Sequence, residues 1–140
     1  MLQSLEDLPF VVKIADLGYA RQLKVDGYAE SFLGTPQQEA PELFRKIYNH
    51  KIDVWGIANI FYTILTGRLL FGGAYSDYKR QLEQGTWSIP FKVQISLEGI
   101  KFLNQLLVYD PDKRISINDL VNHPYLFLSK EQLIPVQASD

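Results

Sequence analysis

The carboxylate of Asp16 is the first group in the chain placed to do chemistry. It ends a β-branched run, Phe10-Val11-Val12-Lys13-Ile14-Ala15, and is followed by Leu17 and Gly18. A strand that ends in aspartate and then a backbone-permissive glycine can set an oxygen acceptor at the lip of a cleft. An ordinary turn aspartate has the same local sequence, so both readings stand on these residues alone. Behind it lie the hydroxyls of Tyr28, Ser31 and Thr35, in a stretch with no lasting period that Gly27, Gly34 and Pro36 punctuate. Long loops inside compact domains are usually functional or mobile, although a single surface hydroxyl more often faces solvent than regulates. Asp53 is the next outlier. It stands near the start of an otherwise apolar helical stretch, where a carboxylate is expensive to bury unless it accepts hydrogen bonds. His50 and His123 lie beside no cysteine or second histidine, so neither reads as a metal ligand; with no cysteine at all, thiolate sites and disulfides are excluded.

The elements that would position these groups follow from period and punctuation. Phe10 to Ile14, after Pro9, reads as a strand, with a second short one near Ala20 to Leu23. Pro41 to Arg45 suits a short helix with proline near its first position. Asn49 as N-cap and Gly67 just past the end bound a helix of about 17 residues, roughly 25 Å long. Its apolar residues (Ile52, Val54, Trp55, Ile57, Ile60, Phe61, Ile64, Leu65) cover nearly the whole circumference, the pattern of a buried central helix. Ser76 to Gln84 reads as a short amphipathic helix that Gly85 ends, with Trp87 and Phe91 anchoring the irregular stretch after it. Ser96 caps a helix with Leu97, Ile100, Leu103, Leu106 and Leu107 at helical spacing. Ser116 and Asp119 have the form of a capping box for a last helix, which Pro124 stops after Asn122 or His123. The fold class expected is mainly α, with one or two short N-terminal β-strands.

Composition narrows the function classes. The 140 residues are 46% apolar and 21% charged, as in a soluble globular domain or part of one. A net charge of −2 gives no reason to expect nucleic acid or an anionic membrane as partner. The N-terminus lacks a basic start and an apolar run of signal-peptide length. The longest strongly apolar stretch, Val54 to Leu65, is too short to cross a bilayer. The expectation is a soluble, cytoplasmic or otherwise intracellular protein without internal repeats.

The order of the short motifs is more specific than any one of them. Asp16-Leu17-Gly18, Gly34-Thr35-Pro36, Ala40-Pro41-Glu42, Asp53-Val54-Trp55 and Arg114 closely resemble the second half of a eukaryotic protein kinase domain, from about Phe10 to Leu126. The Gly-Thr-Pro stretch before Ala-Pro-Glu resembles the serine/threonine branch. The resemblance implies a partial C-lobe at residues 10–128, an activation segment on a helical platform, with residues 1–9 and 129–140 flanking it. It implies that Asp16 holds Mg²⁺ on the ATP phosphates, a role that suits a hard carboxylate oxygen. Thr35 matches the substrate-docking loop. Ser31 lies where activation-loop phosphorylation is often seen; a phosphate there adds roughly −1.5 to −2 charges, with Arg21 and Lys24 as the local cations to receive it. Glu42 and Arg114 match an ion pair that ties the end of the segment to the helical base. Asp53 matches a central-helix aspartate that accepts hydrogen bonds from the catalytic-loop backbone.

Other parts of the family pattern are not in the sequence. Nothing resembles the Gly-rich phosphate loop, the strand lysine or its helix glutamate, and there is no H-R-D-x-x-x-x-N loop, so no catalytic residue proper is present. In the family that loop lies just upstream of the DLG strand, and only nine residues precede Phe10. Gln37-Gln38-Glu39 stands where an aromatic and a methionine are common, and Ala58 where a glycine is usual. Two expectations follow. Either the chain is part of a serine/threonine kinase that acts on protein substrates with ATP and Mg²⁺, or it is a catalytically dead module that binds kinases or their substrates. In both, the 140 residues alone are inactive and bind ATP poorly. Without upstream helices, part of the Trp55, Ile57, Ile60, Phe61 and Ile64 surface would face water, favouring self-association or a partner.

Overall fold

Where apolar side chains are densest the chain forms its longest helix, α1 (Lys51–Thr66). Asn49 accepts the Lys51 amide on its Oδ1 at 2.9 Å, relieving one of the unpaired N–H groups of the first turn. The helix ends at Gly67, whose φ of 67° puts it in the left-handed region while its amide donates to the Thr63 carbonyl at 2.8 Å. That conformation suits a residue without a Cβ. Both boundary residues expected from the sequence are therefore used, with His50 rather than Asn49 at the N-cap position itself.

The computed structural model describes residues 13–23, 27, 38–71, 75–84, 87–90 and 93–128. After α1 come α2 (Tyr75–Gln84), α3 (Leu97–Leu106) and α4 (Ile117–Val121). Three 3₁₀ turns, Leu17–Tyr19, Pro41–Arg45 and Pro124–Phe127, complete the described elements. Ser96 caps α3 as expected, its Oγ accepting the Gly99 amide at 3.1 Å. Ser116 caps α4 the same way through the Asp119 amide, and its hydroxyl also meets Asp119 Oδ2 at 2.6 Å. Pro124 does more than stop α4. It opens the Pro124–Phe127 turn, which His123 caps by accepting the Tyr125 amide on Nδ1.

The core forms where α1 and α3 cross. Val54, Trp55, Ala58 and Tyr62 of α1 pack with Phe102, Leu103 and Leu106 of α3, Tyr78 of α2 and Leu120 of α4. Phe102 is the aromatic hub. Phe61 meets its ring edge-on at 5.2 Å and Tyr125 stacks on it at 4.7 Å, both favoured geometries for aromatic pairs. Close approach here requires a glycine: a Cβ on Gly99 would lie 2.8 Å from Ile95 Cγ2 and 3.2 Å from the Tyr125 hydroxyl.

Two expectations are corrected. Residues 13–15 and 20–23 form no strand, and among the described residues the only bridge positions are Tyr48 and Ser96. Residues 10–12 lie outside the described ones. Ile14 is 89% exposed. A β-branched run gains its stability from ladder partners and a packed face, and the described residues 13–15 are exposed and unpaired. The second correction concerns α1, which is not buried all round. Ile57, Ile60 and Ile64 are 37%, 63% and 75% exposed, whereas Trp55 is buried. Among the described residues no helix is long and apolar enough to cross a membrane.

Candidate functional site

The best-defined polar site is a buried ion pair assembled from two turns far apart in sequence. Ala40 is extended, and Pro41 then fixes the first position of a 3₁₀ turn that presents Glu42 inward. On the other side, Asp110 accepts the Asp112 amide on its side chain and the Arg114 amide on its carbonyl. This tight Asp-Pro turn delivers Arg114 to the core. Its guanidinium meets Glu42 through two parallel bonds, Nη1 to Oε1 at 2.6 Å and Nη2 to Oε2 at 2.9 Å. The two side chains are 0% and 3% exposed. Such a fork-to-fork pair is among the strongest hydrogen-bonded arrangements.

Arg114 does more than neutralise Glu42. Its Nε donates to the Val108 carbonyl at 3.0 Å, and Nη1 also donates to the Lys51 carbonyl at 2.8 Å. The guanidinium carbon lies 5.1 Å from the centre of the Trp55 ring, within cation–π range. Lys51 returns the contact, its Nζ donating to the Arg114 carbonyl at 2.8 Å and the Asp112 carbonyl at 3.3 Å. The start of α1, the turn before α4 and the Pro41–Arg45 turn are thus locked at one point. Sequence reasoning named Glu42 and Arg114 but missed Lys51 and the stacking role of Trp55. A lysine at a helix start carries no signal of a partner 63 residues away.

Asp16 lies at the other end of the segment. Its backbone is left-handed, φ 57° and ψ 64°, immediately before the Leu17–Tyr19 turn. Aspartate is one of the few side-chain-bearing residues that take this conformation readily, and such residues collect at functional sites. The carboxylate sits over Gly18, where an added Cβ would come 3.4 Å from Oδ1, and Asp16 is exposed. A cleft of about 390 Å³ runs from Tyr19, Arg21 and Leu23 to Tyr48, Ile52 and Asp53. Asp53 is exposed there and its carboxylate takes no hydrogen bond among the described residues. The cost of burying it, expected from its apolar surroundings in sequence, therefore does not arise. The segment after Asp16 and the start of α1 share this cleft; Asp16 does not line it. Ser31, Thr35 and Lys24 lie outside the described residues.

Among the described residues no three His, Asp or Glu side chains gather where they could hold a metal by themselves.

Glu39 was noted in the sequence only as a departure from a pattern. It is 4% exposed, and among the described residues neither carboxylate oxygen has a hydrogen-bond partner. Desolvation pushes its pKa above the ordinary 4.5. On the open side of α1, a groove of about 360 Å³ is lined by Gln38, Gly56, Ile60, Thr63, Ile64 and Leu69 among others.

The comparisons with known proteins agree with one another. The family described as "Protein kinase domain" matches residues 1–126. The chain is similar to the probable serine/threonine-protein kinase MARK-A of Dictyostelium discoideum, at 31% identity over 132 residues, covering 92% of this chain and 12% of that protein. It is similar to serine/threonine-protein kinase D3 of Mus musculus, at 34% identity over 129 residues, 90% of this chain and 14% of that one. It is also similar to the ovarian-specific serine/threonine-protein kinase Lok of Drosophila melanogaster, at 28% identity over 133 residues, 90% and 28%. The chain thus spans less than a third of the length of each of these relatives.

Proposed function

The chain belongs to the protein kinase domain family, and from that premise we propose that it is the activation segment and helical platform, residues 10–128, of a serine/threonine kinase. The complete enzyme would move the γ-phosphate of ATP to serine and threonine hydroxyls of protein substrates in the cytoplasm. The observation that carries this reading is the Glu42–Arg114 pair, which closes the Asp16-to-Glu42 segment onto a rigid base in the motif order of the family. Magnesium, when bound on the ATP phosphates, neutralises the charge that builds during transfer.

This chain's own residues would act as follows. Asp16 contributes one oxygen to the metal. Thr35 lines the docking loop for the substrate hydroxyl, and Ser31 accepts a regulatory phosphate. Glu42 and Arg114 hold the far end of the segment still while the middle orders. Asp53 offers acceptor oxygens on the cleft to the backbone of a catalytic loop. The group that would take the proton from the substrate hydroxyl belongs to the H-R-D loop, which these 140 residues do not contain. Phosphoryl transfer rests almost wholly on positioning and charge stabilisation, and one metal ligand cannot supply both. Incubation of the 140-residue chain with radiolabelled ATP, Mg²⁺ and a mixed serine/threonine peptide substrate should therefore leave no label above background; incorporation would overturn the inactive reading. The transcript sequence 5′ of the Met1 codon tests the kinase assignment. An in-frame H-R-D loop and strand lysine support it, and a stop codon there points instead to a catalytically dead interaction module.

A second reading, association through the open face of α1, has its own observation in the exposed Ile57, Ile60 and Ile64. Isolated exposed apolar residues are ordinary, but a contiguous row beside a groove marks a contact surface. Sedimentation of the 140-residue chain should show dimers or larger species, and Ile60→Glu should return it to monomer with unchanged helical circular dichroism. A monomeric parent chain at the same concentration would remove this reading.

A further inference from the structure

Glu39 is a buried charge-bearing side chain that no other group in the described fold accommodates. Both of its oxygens are unpartnered at 4% exposure. Its backbone carbonyl, by contrast, accepts the Tyr78 hydroxyl from fully buried Tyr78. Among the described residues, Glu42 and Arg114 pair with each other, and Asp77 and Arg80 of α2 pair at the surface at 2.8 Å. Among the described residues no cation pairs with the Glu39 carboxyl, and desolvation by burial favours its neutral form. A carboxylate deprived of water and given no donor is strongly disfavoured, and the neutral acid much less so.

We propose that Glu39 is a proton-operated latch on the segment that leads into Ala40-Pro41-Glu42. Neutral, it stays seated against the platform; ionised, it leaves, and the Gln38–Ala40 backbone comes off the Tyr78 hydroxyl. The release is local, because the next anchor, Glu42, is held by Arg114 from the core side. The hinge lies at Ala40, extended at φ −70° and ψ 150°. Gln38, on the outer side of the latch, is already exposed. The inference does not need the chain to be catalytic. Under the kinase reading its consequence is a pH-dependent seating of residues 38–40 at the entry to Ala40-Pro41-Glu42.

The sign follows from linkage. A carboxyl held above its ordinary value favours the seated state fully below about pH 4.5 and loses that contribution as pH rises through its raised value. Within that window the ratio of released to seated forms grows about tenfold per pH unit. Hydrogen exchange at the amides of residues 38–40 reads this ratio when the 140-residue chain is compared with Glu39→Gln, which keeps the shape and cannot ionise. The parent should open progressively more than the variant from about pH 4.5 upward, with the two converging below it. Profiles that stay parallel from about pH 4 to 8 would sink the latch. A ¹³C titration of the Glu39 carboxyl in the unsubstituted chain stands independently of the variant's folding. A midpoint above the ordinary carboxylate range supports the proposal, and one within or below that range refutes it.

Discussion

Arg114→Ala should destabilise the folded chain by about 3–5 kcal/mol, the range for removing one partner of a buried pair. The loss comes from what stays behind. Glu42, 3% exposed, would keep a carboxylate with both main donors gone, and the Val108 and Lys51 carbonyls would lose theirs as well. Glu42→Ala should cost a comparable amount, because Arg114 is then the uncompensated charge. The double replacement Glu42→Ala with Arg114→Ala should cost much less than the sum, since removing both partners leaves no charge stranded. Urea unfolding of the four proteins, followed by circular dichroism, closes the cycle. Purely additive losses would show that the pair is not coupled in the way its geometry implies. A loss of this size is a large fraction of the 5–15 kcal/mol that usually separates folded from unfolded domains.

The second large effect belongs to Phe102→Ala, again about 3–5 kcal/mol, the usual range for truncating a buried aromatic. Phe102 is 2% exposed and carries contacts from three sides, with Phe61 at 5.2 Å, Tyr125 at 4.7 Å and His123 at 4.8 Å. Removing it opens a cavity under the Pro124–Phe127 turn, whose Tyr125 ring rests on it. The denaturation midpoint should fall with little change in the slope of the transition. A stability within about 1 kcal/mol of the parent would mean that the neighbouring rings collapse into the space, the one route by which such a truncation becomes cheap.

How much of this was legible in the sequence depended on how local the cause was. Ser96, Ser116 and Gly67 act within one helical turn of themselves, so residue type and spacing were enough to place them. The second strand expected near Ala20 to Leu23 failed for the opposite reason, since a strand is decided by the partner that pairs with it and none of that information is local. Phe102 was passed over because leucine spacing drew the period of α3, although the ring carries the contacts. Glu42 and Arg114 were legible only through the order of the motifs. No rule of spacing joins residues 72 apart, and Lys51, with no motif to mark it, was missed. The open face of α1 was half legible. Its periodicity predicted burial all round, while the absence of upstream family motifs predicted that part of that surface would face water.

The Arg114 contact also bears on the lifetime of the folded chain. It closes a loop of 72 residues, so the entropy of bringing its ends together must be met before the pair returns any stabilisation. A contact that forms only after the folding barrier acts on the rate of unfolding rather than of folding, and on that expectation Arg114→Ala should raise the unfolding rate while leaving the refolding rate nearly unchanged, as stopped-flow measurements would check. Arg114 would then govern how long the platform stays assembled rather than how fast it forms.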